Sequence, residues 1–390
     1  MSHMQTTRRG VLGGAAAIAA AGAGLGRAKA AEAVGVSIID AAGNLALTRP
    51  GFEAFAKANP GKVSHITYTS ATAPEIPGKL MAQQAAGKVD IDLLLVGNDA
   101  LAAGISQKLW EPLFPNHAAA LPSLDILSPM AKRLQTAAED QGFVVSVCPG
   151  GPILEYMPDV VKTCPTTAEE LLAWAKQNPK KFMYARPANS GPGRAFMMGL
   201  PYILGDSNPR DPNKGWDKSW AYMEELGKYI EYYPTGTGAT MKELAEGSRS
   251  IIASHVGWDI NPRALGTVPK EAKIQAIKGF HWIGDSHFMC VPKGLTAEKL
   301  ALVMEIITYM MQPAAQAYTF DKGYFYPGPA RAGVTIDQAP KESRDVIAEY
   351  GRPEYAKLIA DNPIELPLDA EPMVYAFQRW DQQVGAKVGK

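Results

Sequence analysis

The stretch DLLLVGND, residues 92–99, combines an unbroken apolar run with an abrupt polar end. Such a run, bounded by turn residues, is typical of a strand buried on both faces of a parallel sheet. Strand-like runs also lie at 34–39 (VGVSII) and 63–69, and segments with apolar residues at helical spacing follow them at 50–59 and 79–86. The alternation predicts an α/β fold in which helices flank a mainly parallel sheet and ligand contacts lie at the carboxyl ends of the strands.

A second alternation of the same kind occupies later residues. Its predicted elements are a capped helix starting at 166–169, a strand at 182–185, helices at 194–204 and 216–229, strands at 250–256 and 288–291, and a helix at 300–311. A chain of 390 residues is also too long for one ordinary core. We therefore predict two α/β lobes, with residues 34–145 and 286–330 in lobe 1 and residues 146–285 and 331–390 in lobe 2.

The N-terminal stretch TTRRGVLGGAAAIAAAGAGLGRAKA, residues 6–30, has the layout of an export signal. Paired arginines precede a weakly hydrophobic Ala/Gly run that ends in the small-residue pattern Ala28-Lys29-Ala30, which favours the twin-arginine route. The alternatives are a buried helix or a membrane anchor, but the run is too short and too rich in glycine to span a bilayer. We predict that residues 1–31, which begin with the cloning remnant MSHM, are a cleaved twin-arginine signal and that the mature protein is periplasmic.

The amino-acid composition argues against several classes of function. The chain has 39 Lys and Arg residues and 39 Asp and Glu residues, so it has no net positive charge that would attract nucleic acid. No apolar stretch after residue 33 approaches membrane-spanning length, so we expect a soluble mature protein that is not embedded in a membrane. The chain has three cysteines, Cys148, Cys164 and Cys290, and none of them forms a CxxC pair. One disulfide between two of them is an alternative, but we favour three unpaired cysteines that are buried as small apolar side chains.

Eight segments of the chain together form a recognisable series. In chain order they are IIDAAGN (38–44), GKVDIDLLLVGNDALAAG (87–104), LWEPL (109–113), TTAEELLAW (166–174), EGSRSIIASHVGWDINPRA (246–264), KGFHWIGDSHFMCVPKG (278–294), MMQPAAQAYTF (310–320) and GYFYPGPARA (323–332). This series resembles the periplasmic solute-binding proteins of ABC importers, family 1 type, and among them the branch of spermidine/putrescine-binding proteins.

The resemblance implies a type II periplasmic binding fold, with two hinged lobes that close on one small ligand. It further implies a monomer that delivers this ligand to an inner-membrane ABC permease, with no cofactor, no resident metal and no chemistry performed on the ligand. Binding in a cleft between lobes suits this role, because closure removes water from the ligand and gathers contacts from several strand ends.

Two groups of side chains dominate the expected site. In the polyamine-binding branch the cleft is acidic and aromatic, and the matching positions here are Trp258 with Asp259 and Trp282 with Asp285. A carboxylate beside an indole suits an ammonium group, although the same residues could instead be core tryptophans and turn-capping aspartates. The other group is NSGPGR, residues 189–194, where the polyamine binders place acids.

In that loop, free backbone N–H groups at a helix start, a hydroxyl and a guanidinium together suit a carboxylate, sulfonate or phosphoryl group. The alternative for Arg194 is a surface ion pair. The full candidate set is Asp40, Asn44, Ser70, Thr72, Asn98, Asp99, Ser190, Gly191, Gly193, Arg194, Thr235, Thr237, His255, Trp258, Asp259, Trp282, Asp285, Tyr324 and Tyr326. We expect a ligand with an anionic group, a zwitterion included, such as an amino-acid derivative, an aminophosphonate or a small organic or sugar acid.

Three alternatives remain at this point. Polyamine binding is the main one, since the acids and tryptophans match that branch. A ferric or metal-complex binder would use Tyr232-Tyr233 with lone histidines, but adjacent tyrosines on a strand point to opposite faces. A hydrolase would use Ser254-His255 with Asp259 and Asp285, yet the chain has no GxSxG, P-loop, HExxH or helix-opening GxGxxG motif, so we expect no enzyme.

Overall fold

The computed structural model describes residues 32–387, so the predicted signal at 1–31 lies outside the described residues. The strands are β1 (Val34–Asp40), β2 (Val63–Ser70), β3 (Leu93–Gly97), β4 (Phe143–Gly151), β5 (Ile153–Tyr156), β6 (Phe182–Met183), β7 (Ile251–Ser254), β8 (Lys273–Gln275), β9 (Trp282–Cys290), β10 (Gly328–Pro329) and β11 (Ile364–Glu365). The α-helices are α1 (Leu45–Ala58), α2 (Ile76–Ala85), α3 (Asn98–Ser106), α4 (Pro129–Gln135), α5 (Ala168–Gln177), α6 (Gly191–Ile203), α7 (Asp217–Gly227), α8 (Thr237–Ala245), α9 (Asn261–Ala264), α10 (Ala297–Met310), α11 (Pro313–Ala317), α12 (Lys341–Tyr350), α13 (Glu354–Asp361) and α14 (Ala370–Gln383).

The strands form two sheets. The first has the order β10-β4-β9-β3-β1-β2, with β11 paired to the start of β9, and the second has the order β6-β7-β5-β8. In the first sheet β1 lies parallel to both β2 and β3, so the carboxyl ends of these three strands meet at one edge. All five residues of β3 are buried, as the apolar stretch at 92–99 predicts. The α/β class is therefore confirmed.

Pairing within the sheets is more mixed than the sequence suggests. Strands β4 and β9 run antiparallel to each other and β9 runs antiparallel to β3, while in the second sheet β5 is antiparallel to both neighbours. The physical reason is the chain path, because β4 carries the chain towards the second sheet and its neighbour β9 brings it back. The second sheet is built from residues 153–275, between these two strands.

The lobe limits predicted at 145 and 285 fall inside β4 and β9, both of which belong to the first sheet. The chain changes sheets at Pro152, beyond the first limit, and again between β8 and β9. Residues after 331 were expected in the second lobe, but α14 packs against α3, and Trp380 Nε1 donates a hydrogen bond to Tyr184 Oη at 3.0 Å. The C-terminal helix thus contacts residues on both sides of the predicted division.

One cluster of buried apolar side chains reaches across both sheets, from Leu94 and Phe143 to Leu154 and Phe196. A smaller cluster around Trp282 packs under α13. The three cysteines are buried and unbridged, which agrees with the favoured prediction. Among residues 32–387, no helix has both the length and the apolar character needed to cross a membrane.

Candidate functional site

A cavity of about 290 Å³ lies where elements of the two sheets meet. Its wall includes the carboxyl ends of β1, β2 and β3 on one side and the starts of α6 and α8 on the other. Twelve of the predicted site residues line it: Asp40, Ser70, Thr72, Asp99, Ser190, Gly191, Arg194, Thr237, His255, Trp258, Asp285 and Tyr324. The structure therefore brings together side chains that lie up to 284 positions apart in the sequence.

Four other predicted residues lie just behind this wall or beside it. Asn44 is buried and donates through Nδ2 to Ser146 Oγ at 3.0 Å, and Asn98 Nδ2 donates to Asp285 Oδ1 at 2.7 Å. Gly193 allows α6 to start close to the backbone of Ala185, because a Cβ there would lie 2.1 Å from the Ala185 carbonyl oxygen. Thr235 is exposed, and its carbonyl accepts from Asn189 Nδ2. None of these four lines the cavity.

Three predicted residues lie away from the cavity wall, two of them buried and Tyr326 partly buried, which corrects their expected position. Asp259 is fully buried and accepts from Arg352 Nε at 2.5 Å, so its charge is neutralised within the fold. Trp282 is buried in the smaller cluster and donates to the Leu358 carbonyl. Tyr326 packs against that same cluster. Trp282 is therefore a core tryptophan and Asp259 is bonded within the fold, as in the alternative stated for these residues in the sequence analysis.

The acidic side of the cavity starts at Asp40. Its carboxylate accepts hydrogen bonds from the backbone N–H groups of Ala42, Asn44 and Leu45, and so occupies the N-terminus of α1. This bonding also explains why α1 begins at Leu45, ahead of the start at Pro50 that the sequence predicts. Burial nevertheless raises the pKa of Asp40, against the lowering effect of these donors.

Arg194 lies at the floor of the cavity and is almost fully buried. Its Nη1 donates to Asp99 Oδ2 at 2.9 Å, and its Nη2 donates to Asp285 Oδ1 and Oδ2 at 2.9 and 3.0 Å. The guanidinium is therefore shared by two carboxylates from the first-sheet side. The alternative of a solvent-facing surface ion pair does not apply, because the ion pairs of Arg194 are buried; the predicted contact of Arg194 with a ligand anion stays a prediction.

The two carboxylates differ in their pKa values. For Asp285, burial is the largest single influence and acts to raise the pKa, but the charge of Arg194, the nearby His255 and His287 and the hydrogen bond from Arg194 together outweigh it, and the pKa lies below the usual value. For Asp99, burial dominates over the single contact with Arg194 and raises the pKa. We regard Asp285 as ionised, since Asn98 Nδ2 and the Ser286 N–H also donate to it. This group of two carboxylates and one guanidinium thus carries one negative charge when both acids are ionised.

Two histidines face the cavity in opposite tautomers. His255 Nδ1 lies 2.8 Å from the Val256 carbonyl, which can only accept, so Nδ1 carries the proton and Nε2 is a lone-pair acceptor. Nδ1 of His287 lies 2.9 Å from Asn44 Nδ2, whose own Oδ1 accepts from Thr48 Oγ1, so the ring proton of His287 is on Nε2. Burial lowers the pKa of both rings, to about 4 for His287, which keeps them neutral at pH 7.

The opposite side of the cavity consists of helix starts. Ser190 caps α6 by accepting from the Gly193 N–H at 3.1 Å, and its hydroxyl lies 2.7 Å from that of Thr237 in the first turn of α8. Neither helix has an acidic residue in its first turn. The positive ends of these two helix dipoles and two hydroxyls therefore face the cavity together.

The candidate set leaves out three polar or aromatic wall residues, Asn189, His287 and Phe325, although Asn189 belongs to the NSGPGR loop. His287 stands two positions after Asp285 on one strand, so its side chain points to the same face, and this spacing could have identified it. Phe325 stacks on His287 with ring centroids 3.9 Å apart. Nothing local in the sequence signals that contact.

The geometry also bears on the rival sites. Tyr232 is exposed and donates to Glu243, whereas Tyr233 is buried against Tyr184 and Trp380, and neither lines the cavity. Ser254 Oγ is buried without a hydrogen-bond partner in the described part of the chain, and His255 Nδ1 is bonded to a carbonyl, not to a carboxylate. Between residues 32 and 387, no group of three or more His, Cys, Asp or Glu side chains is arranged to hold a metal ion.

Comparison with known proteins gives one family match. A model of the family described as bacterial extracellular solute-binding protein matches residues 52–346. No curated protein sequence matches the chain. Among solved structures, the chain is similar to a putative spermidine/putrescine ABC transporter from Listeria monocytogenes, with 14% identity over 90% of this chain and 98% of that one and a TM-score of 0.63.

Two further solved structures share the fold and are described with other ligands. The periplasmic binding protein AfuA from Actinobacillus pleuropneumoniae, with fructose-6-phosphate bound, has 13% identity over 90% of this chain and 98% of that one and a TM-score of 0.64. The apo ferric ion-binding protein A of Pasteurella haemolytica has 14% identity over 90% and 97% and a TM-score of 0.59. At these identities the similarity establishes the two-lobe binding-protein fold and leaves the ligand open.

Proposed function

The chain belongs to the bacterial extracellular solute-binding proteins, the substrate-binding components of ABC transporters, and on this basis we propose that it captures a small polar ligand bearing an anionic group in the cavity between its lobes. The lobes would close around the ligand and the protein would deliver it to an inner-membrane permease from the periplasm. The family consists of transport proteins, not enzymes, so no turnover of the ligand is expected.

The observation that carries the anionic group is the pair of helix starts. The first turns of α6 and α8 face the cavity with the hydroxyls of Ser190 and Thr237 and with no carboxylate of their own. By contrast, the starts of α1 and α3 already hold Asp40 and Asp99. A carboxylate or phosphoryl group at the ends of α6 and α8 would accept backbone N–H and hydroxyl hydrogen bonds.

Arg194 supports this proposal less directly than the sequence suggests. Both of its terminal nitrogens already donate to Asp99 and Asp285, so a ligand anion would have to compete with two carboxylates for it. We therefore assign the anion to the ends of α6 and α8 and give Arg194 the role of holding the acids in place.

A polyamine remains the second candidate, because one observation favours it. Three carboxylates, of Asp40, Asp99 and Asp285, face the cavity against one guanidinium, and Trp258 meets Tyr324 edge to face at 5.2 Å beside them. Such a set suits an ammonium through charge and cation-π attraction. The structure from Listeria monocytogenes with similar fold is described as a spermidine/putrescine transporter.

Mass spectrometry of ligand released from the purified protein tests the proposal, followed by a thermal-shift screen of the compounds found. A ligand at about 100 times its Kd should add about 2.7 kcal/mol to the free energy of unfolding. Release of a compound with a carboxylate, sulfonate or phosphoryl group that raises the Tm supports the proposal. Release of a polyamine or a ferric complex that alone raises the Tm would overturn it.

A further inference from the structure

The cavity wall includes a histidine that has one ring nitrogen bonded within the fold and the other free. His287 lines the cavity, and only 5% of the residue is exposed. Its Nδ1 lies 2.9 Å from Asn44 Nδ2 and 3.3 Å from Ser146 Oγ. Its Nε2 has no hydrogen-bond partner among residues 32–387 and is not sealed inside the fold, so it opens onto the cavity.

A series of hydrogen bonds from α1 places the ring proton on this free nitrogen. Thr48 Oγ1 donates to Asn44 Oδ1 at 3.0 Å, so the amide group of Asn44 turns its Nδ2 towards the ring. Asn44 Nδ2 has two protons, and it donates to Ser146 Oγ and to His287 Nδ1. Because Nδ1 accepts, the proton of the neutral ring is on Nε2. Asn44 is therefore a positioning residue that acts through His287.

The ring is also held in one orientation. Phe325 stacks on His287 with ring centroids 3.9 Å apart and an interplanar angle of 20°. On the strand itself, His287 is paired with Gly97 of β3 on one side and with Ser146 of β4 on the other. Burial lowers the pKa of His287 to about 4, so the ring is uncharged at pH 7. His287 thus presents a fixed, neutral N–H to the cavity.

The charge nearby determines which acceptor suits this N–H. Asp285 stands two positions before His287 and on the same face of β9. Asp285 and Asp99 share the guanidinium of Arg194, so one negative charge remains on this side of the cavity when both acids are ionised. A carboxylate or phosphoryl oxygen at His287 would be repelled by that charge. A hydroxyl oxygen would not be repelled, and its own proton could be donated to a carboxylate of the wall.

We propose that His287 Nε2 donates a hydrogen bond to a hydroxyl group of the ligand while Asn44 holds the ring in the required tautomer, so that the transported ligand is a hydroxylated anion with its charge at the starts of α6 and α8. This inference rests on the proposed function and narrows it to hydroxy acids, sugar acids and sugar phosphates. It also gives a role to Asn44, which lies behind the cavity wall.

Matched probes and matched variants test the hydroxyl contact. Calorimetric titration at pH 7 would compare glycerol 3-phosphate with propyl phosphate and with glycerol, and 4-hydroxybutyrate with butyrate. The proteins are the wild type, His287→Phe, which keeps an aromatic ring but removes the donor, and His287→Gln, whose amide N–H can take the place of Nε2–H. His281→Phe is the control, because His281 stacks on Tyr202 outside the cavity.

In the wild type, at least one hydroxylated anion should bind at least about fivefold more tightly than its partner without the hydroxyl. His287→Phe should abolish the difference, His287→Gln should restore part of it, and His281→Phe should leave it unchanged. Equal binding within both pairs would overturn the hydroxyl contact and leave the proposed anion site standing. Glycerol that binds as tightly as glycerol 3-phosphate would overturn the anion site and leave the hydroxyl contact standing.

A measurement on the free protein decides the case if none of these probes binds. Nitrogen-15 spectra of histidine-labelled protein at pH 7, assigned with His287→Gln, should show a protonated Nε2 for His287. Asn44→Asp should place a proton on Nδ1, because a carboxylate can only accept, while the signals of His255 stay unchanged as an internal control. An unprotonated Nε2 in the wild type would overturn the inference, and an unchanged tautomer in Asn44→Asp would overturn the role of Asn44.

Discussion

At the scale of single residues, Glu155 has the most unusual surroundings outside the cavity. It is fully buried in β5, and neither carboxylate oxygen has a hydrogen-bond partner in the described part of the chain. Burial, with the nearby negative charge of Asp259, raises the pKa of Glu155 to about 8. The folded protein therefore holds a proton on this side chain at pH values where the unfolded chain has released it.

This raised pKa predicts a stability effect with a definite sign. Because the unfolded carboxyl titrates near its ordinary value and the folded one near 8, the free energy of unfolding should fall as pH rises through this interval. Between pH 6.5 and 8.5 this decline amounts to about 2 kcal/mol, and Glu155→Gln should remove it. Urea denaturation of both proteins between pH 6.5 and 8.5 measures it, since the two cavity histidines are neutral in this range. Parallel pH profiles for the two proteins would contradict the prediction.

Arg194 provides a second prediction at this scale. Arg194→Met keeps the length of the side chain but leaves Asp99 and Asp285 buried without a counter-charge, so we expect a loss of about 3–5 kcal/mol. The control is Lys341→Ala, which removes an exposed ion pair with Asp345 and should cost less than about 1 kcal/mol. Chemical denaturation of both variants provides the comparison, and similar small losses would mean that the buried acids become protonated at little cost.

The sequence predicts the loop that carries Arg194 but not its partners. A helix start with Ser190 and two glycines is a local pattern and can be identified without a structure. Asp99 and Asp285 lie 95 and 91 residues away from Arg194, and only the fold brings them to its guanidinium. For the same reason Asp259 looked like a site residue, since Arg352, 93 residues away, could not be identified as its partner.

At the scale of elements, prediction succeeds for a purely apolar run and for a helix-capping pattern. The strand predicted at 92–96 is β3, and the helix predicted from the pattern at 166–169 begins at Ala168 with Thr167 accepting from the Glu170 N–H. The strand predicted at 288–291 is by contrast the end of β9, which begins at Trp282. The start of that strand is not apolar, because it carries Asp285 and His287, which face the cavity, and Ser286 between them. The polar residues of the site therefore hide the start of β9 from a search for apolar runs.

Helix packing supplies a prediction with an internal control. A Cβ at Gly104 in α3 would lie 2.2 Å from the Trp110 ring, while a Cβ at Gly78 in α2 has nothing within 4 Å. Gly104→Ala should therefore destabilise the protein by about 1–3 kcal/mol, whereas Gly78→Ala should stabilise it by up to about 1 kcal/mol through helix propensity. The difference in urea midpoint between the two variants measures this, and a shift of the same sign in both would refute it.

At the scale of the whole molecule, the chain crosses between its sheets while one apolar cluster remains continuous across them. We therefore expect both sheets to unfold in a single transition, although a protein of this length could lose its lobes separately. Tryptophan fluorescence and far-ultraviolet circular dichroism should give coincident urea curves, and the calorimetric enthalpy should equal the van't Hoff enthalpy. Two resolved transitions would show that the cluster does not couple the lobes.

The two-sheet architecture follows from the alternation of predicted strands and helices, but the points where the chain changes sheets do not. Strand β4 is buried along all nine residues and continues past Val145 without any change of pattern until Pro152. Because β4 leads almost directly into β5 of the other sheet, the amino-acid composition does not change at the point where the chain leaves the first sheet. The division of the lobes at 145 and 285 therefore remains a prediction, and the strands themselves change sheets at Pro152 and between β8 and β9.

The cavity wall draws on chain segments from Asp40 to Phe325, and most of these segments are far apart in sequence. A molecule bound there would act as a noncovalent cross-link that closes several long loops at once. Proteases that cleave only after the chain opens would then meet fewer open molecules, by a factor of about one plus the ratio of free ligand to Kd. Resistance to digestion thus becomes a label-free measure of occupancy that works even for an unidentified cargo.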